Sequence, residues 1–90
     1  MSNLTELATR AMVAFEDIEA IRSQLDVIGE TLRDDVALEF IDEADTCLTI
    51  GGSHVKHLAH HLQSLADEEA EQQTRLIAQL QARLKEREGK

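Results

Sequence analysis

Four histidines, His54, His57, His60 and His61, fall within eight residues of one another. On a helix His57 and His61 stand one turn apart, so both rings could reach one metal ion, with His54 a turn earlier on the same flank. A carboxylate from the helix that precedes them, the second of the chain, could complete such a site. A competing reading takes Val55, Leu58 and Leu62 as the buried face, which turns His57 and His60 to solvent as a titrating surface. Just upstream, Gly51-Gly52-Ser53-His54-Val55-Lys56 offers backbone amides, a hydroxyl and a lysine, the ingredients of an anion site at a helix start. The spacing is not that of a nucleotide loop, and a capped helix turn accounts for it. Lys56 sits badly against the dipole of a helix beginning there, which points to some other contact.

Little else could do chemistry. Thr5, Thr9, Ser23 and Ser64 have no histidine and acid arranged around them, and the pairs Asp34-Asp35 and Asp42-Glu43 read as solvated helix faces. Cys47, the single cysteine, cannot form a disulfide within the chain and falls among apolar residues, which predicts a small buried hydrophobe in a reducing compartment. A helical domain of 90 residues has little room for a substrate pocket of several hundred Å³. No enzymatic activity and no cofactor are expected.

Charge is more informative. Eighteen acidic residues against nine basic ones give a net charge of −9, which repels nucleic-acid backbones and anionic membranes. Residues 1–50 hold twelve acids and three bases, whereas 51–90 hold six of each. Glu16, Asp17, Glu19, Asp26, Glu30, Asp34, Asp35, Glu39, Asp42, Glu43 and Asp45 face only Arg22 and Arg33. Side by side, the segments carrying them would make a negative field that steers toward a basic protein surface; the blander reading is solubility.

The elements that must position these residues follow from periodicity. Leu4, Leu7, Ala11, Ala14, Ile18, Ile21, Leu25, Ile28 and Leu32 recur at threes and fours, the seam of a heptad. Asn3 and Glu6 form a possible capping box. Capping favours a stop at Gly29, with Thr31 opening the next helix; the seam reaching Leu32 favours a longer helix, with Asp34 as the next cap. Val36, Ala37, Phe40, Ile41, Ala44, Cys47 and Leu48 mark a second helix, and Gly51-Gly52 reads as a turn with Ser53 capping a third. That third helix carries an apolar face as far as Ala66, a polar stretch at 67–74, and then Leu76, Ile77, Leu80 and Leu84.

The expectation is a single all-α domain over residues 1–90 with helices at about 3–29, 32–50 and 53–88: two long helices and a shorter middle one in a coiled-coil-like bundle. The third helix outruns its neighbours, so homodimerisation through Leu76, Ile77, Leu80 and Leu84 would complete the core. With no basic leader or apolar span at the start, the chain is expected to be cytoplasmic. The function expected is a non-enzymatic protein–protein interaction module, in its sharpest form an acidic inhibitor or decoy docking on a basic nucleic-acid-binding surface, as small phage or mobile-element proteins do. The alternatives are a metal-binding bundle using His57 and His61 and a purely structural assembly module.

Overall fold

The computed structural model describes residues 3–89 and contains two helices, α1 (Leu4–Thr31) and α2 (Asp35–Glu88). The all-α expectation holds; the three-helix bundle does not. α1 folds back along the first part of α2 as an antiparallel hairpin, and α2 then runs on alone. At 1.5 Å per residue, 54 helical residues span about 81 Å, close to the 84 Å long axis, while the other two extents are 15 and 14 Å. The radius of gyration of 23.2 Å is nearly twice the ~12 Å of a compact chain of this length.

The joint is settled by Asp34. α1 runs through Gly29 to Thr31, and Leu32 leaves it in extended conformation with its N–H donating to the Ile28 carbonyl at 3.2 Å. The Asp34 carboxylate then accepts from the Ala37 N–H at 3.0 Å and caps α2. Gly29 is therefore no C-cap: among the described residues no glycine has a positive φ, and Gly29 packs toward Ile41, whose Cγ2 a β-carbon there would meet at 3.9 Å. Asn3 stands at the N-cap of α1, but its side chain makes no capping bond.

Gly51 and Gly52, expected to form a turn, lie inside α2, and Ser53 caps nothing. Two helical glycines cost about 2 kcal/mol relative to alanine, whereas breaking the helix would expose two new sets of unbonded amides and carbonyls. Gly52 also has a packing use. It is buried, and a β-carbon there would meet Ile18 Cγ2 at 3.4 Å and the Phe15 ring at 3.7 Å, so the large Phe15 lies where α2 presents no side chain.

The contact seam keeps a seven-residue repeat on both helices. On α2 every residue in the series 38, 41, 45, 48, 52, 55, 59, 62, 66 and 69 is buried or half-buried, with no change of phase across the glycines. On α1 the series is 4, 8, 11, 15, 18, 22, 25, 29 and 32. Leu4, Ala11, Ile18, Leu25 and Leu32 are thus placed as expected, but their companions are Ala8, Phe15, Arg22 and Gly29. Leu7, Ile21 and Ile28, assigned to the seam from sequence, are each 47% exposed, and Ala14 is exposed as well. The core between the two helices is narrow: its buried residues are Ala8, Gly52, Ala59 and Ala66.

Candidate interaction surfaces

The register of the hairpin is fixed by polar as well as apolar contacts. Arg22 donates from Nε to Asp45 at 3.0 Å and from Nη1 to Glu19 at 3.2 Å. The bond to Asp45, then the one to Glu19, raises the Arg22 pKa above its ordinary value, so this guanidinium is charged at any physiological pH. Lys56 lies with Nζ 5.5 Å from the Phe15 ring centroid, a cation–π contact. That is the other contact its position called for, although it sits in mid-helix and not at a helix start.

These pairs lie along one long side of the hairpin, and the predicted acidic residues divide around them. Glu19 and Asp45 are spent on Arg22, and Asp34 is spent as a cap. Asp17 falls on the opposite side of α1 by helical register. Glu16, Asp26, Glu30, Asp35, Glu39, Asp42 and Glu43 are exposed, and among the described residues none of them has an ion-pair partner. Asp26, Glu30, Asp35, Glu39, Asp42 and Glu43 crowd the loop end of the rod, where the two helices join.

The other long side is apolar. Leu7, Ala14, Ile21 and Ile28 form one column of α1 on the flank away from the Arg22–Asp45 pair. Ala44, Gly51, Leu58 and Leu65 form the matching column of α2. The antiparallel register brings these columns level, so a groove between them is lined by apolar residues along the length of α1. Phe40, 66% exposed, and Cys47, also exposed, stand on its outer lip. Cys47 is therefore not the buried residue expected, because it lies on the helix face turned away from α1.

Beyond Glu69 every described residue is exposed. Leu76, Ile77, Leu80 and Leu84 are 50 to 58% exposed on this projecting segment, interspersed with Arg75, Arg83, Lys85 and Arg87. The best-formed concavities are shallow hollows between side chains of α2 alone, one lined by Leu80, Arg83, Leu84, Glu86 and Arg87 and another by Asp42, Glu43, Thr46 and Cys47.

The histidines are exposed, and His57 and His61 remain one turn apart. The carboxylate that was to join them from another helix is not there. Because α2 is unbroken, Asp45 and Glu43 lie on the same helix about 18 Å or more along its axis, and among the described residues no group of three or more histidine, cysteine or acidic side chains could hold a metal ion. Nor is any helix among them long and apolar enough to cross a membrane. No family model, curated protein or solved structure matches the chain.

What sequence reasoning missed is the groove. The signal was present: α1 carries apolar residues on three adjacent columns of its heptad, more than one antiparallel neighbour can cover.

Proposed function

We propose that the chain is a non-enzymatic protein–protein interaction module whose acidic loop end docks on a basic surface of another protein, such as one built to hold nucleic acid. The observation that carries this reading is the cluster of unpaired, exposed carboxylates that both helices contribute to one end of a narrow rod. Field lines from such an end steer encounter with a basic partner, and rim charges of this kind act mainly on association rate. Capture of partner proteins from a lysate at low and at moderate salt tests it, comparing wild type with a variant carrying Asp35, Glu39, Asp42 and Glu43 all changed to lysine. Loss of a salt-sensitive nucleic-acid-binding partner in the variant, with helical content unchanged, is the expected result. The same captured species from both proteins would refute the reading.

A second role, self-association through Leu76, Ile77, Leu80 and Leu84, is favoured by a separate observation. Four large apolar side chains at least half exposed in one segment form a stripe that α1 is too short to cover. The mass in solution of the chain truncated after Thr74 tests this role. A change from dimer to monomer supports it, and an unchanged mass argues against it.

A further inference from the structure

We propose that the apolar groove on the side of the hairpin is the seat for the C-terminal segment of a second copy, reciprocally, in a closed two-fold dimer; this deepens the self-association reading above by naming the surface that receives the segment. The segment cannot fill its own groove, because α2 is one continuous helix that carries it away from α1.

Three observations favour a second copy as occupant. The first is length. Residues 70–88 project about 28 Å beyond the packed part of the hairpin, and the column from Leu7 to Ile21 that they would run along is about 21 Å long. The second is charge. Residues 4–69 hold fifteen acids against four bases, whereas 70–88 hold four bases against three acids, so the part of α2 beyond the packed hairpin lacks the acidic excess of the rest of the chain. Asp17, on the α1 lip of the groove, lies at the level that Arg83 and Leu84 of the incoming segment would reach. The third is closure. With two copies antiparallel about residue 67, the open ends of the hairpins abut and each projecting segment lies along its partner's groove. Every cross-section through the projecting segments then holds three helices, and no copy is left with an unsatisfied face that would propagate a fibre.

The area is adequate. Seven large apolar side chains per junction (four from the segment, and Leu7, Ile21 and Leu58 from the groove), each about half exposed, offer roughly 90 Å² apiece. Two junctions then bury about 1,260 Å², at the lower end of the range of specific interfaces.

The test is the mass in solution by light scattering, with far-UV circular dichroism on every sample to confirm folding. Wild type is expected at twice 10.1 kDa, and Leu80→Glu and Ile21→Glu are each expected at the monomer mass with helicity retained, since both side chains are at least 47% exposed. If Leu80→Glu is monomeric while Ile21→Glu stays dimeric, the segment is an interface but the groove is not its seat. That result overturns this proposal and leaves self-association standing. A monomeric wild type overturns both. A spin label at Ser53→Cys in a Cys47→Ser background gives the arrangement: about 42 Å between labels for the reciprocal dimer, against about 80 Å for two segments pairing with each other about Leu80.

Discussion

Replacing the two central glycines of α2 by alanine separates a helix from a turn by the sign of the effect. Within a helix each Gly→Ala change gains about 1 kcal/mol, chiefly by narrowing the unfolded ensemble. At Gly51 a new β-carbon meets nothing within 4 Å, so the whole gain should be realised. At Gly52 the β-carbon would lie 3.4 Å from Ile18 Cγ2 and 3.7 and 3.8 Å from the Phe15 ring, which is ordinary van der Waals contact and adds apolar burial without a clash. Gly51→Ala/Gly52→Ala should therefore be about 2 kcal/mol more stable than wild type, raising the thermal midpoint by roughly 8 to 16 °C for a domain of this size. Gly51 lines the groove, so the comparison is best made in the Leu80→Glu background, where self-association does not contribute. Thermal melting followed by far-UV circular dichroism is the assay. Were either glycine at a helix terminus in the left-handed conformation, alanine would lower the midpoint instead. A fall with Gly51→Ala alone, where a β-carbon meets nothing within 4 Å, refutes the continuous helix.

Two further outcomes concern the joint and the seam. Asp34→Ala removes a cap bond that is made and should cost about 1 kcal/mol, whereas Asn3→Ala removes none and should leave the melt unchanged; equal effects would contradict the cap assignment. Arg22→Ala should lower the midpoint by an amount that does not vary from neutral to mildly alkaline pH. The Arg22 pKa is raised in the folded state by Asp45 and then Glu19, so its contribution is complete below the ordinary arginine value and disappears only as pH rises through the higher folded one. A difference that shrinks within the neutral-to-alkaline range, in paired melts of wild type and variant, would contradict this.

Hydrophobic spacing made the helical class and the column Leu4, Ala11, Ile18, Leu25 and Leu32 legible, but not which flank of that column meets α2. Residue type alone prefers Leu7 to Ala8, Ile21 to Arg22 and Ile28 to Gly29, and the structure chooses the opposite each time. Hydrophobicity locates apolar faces, whereas steric and charge matching assigns neighbours to them. Phe15 opposite Gly52, Gly29 opposite Ile41 and Arg22 paired with Asp45 are matches between residues far apart in the chain, which no local pattern contains. Gly51-Gly52 misled for a related reason. Two adjacent glycines permit a turn but do not impose one, and what spoke against a turn was the heptad phase, carried unbroken from Leu38 through Gly52 to Ala66. A true connection would be expected to reset it. The acidic loop end was legible as charge, and the loss of Glu19, Asp45 and Asp34 to internal bonds was not.

The separation of an acidic loop end from an apolar, basic tip depends on α2 being one helix. Spin labels at Glu39→Cys and Ser64→Cys in a Cys47→Ser background, diluted with unlabelled protein so that only distances within one chain are read, measure that directly. An unbroken helix places the two sites about 38 Å apart. A chain that turned back at Gly51-Gly52 would bring them within roughly 15 Å, close to the 8–10 Å spacing of packed helices plus the reach of the labels, and that distance would contradict the hairpin, its projecting segment and the surfaces built on them.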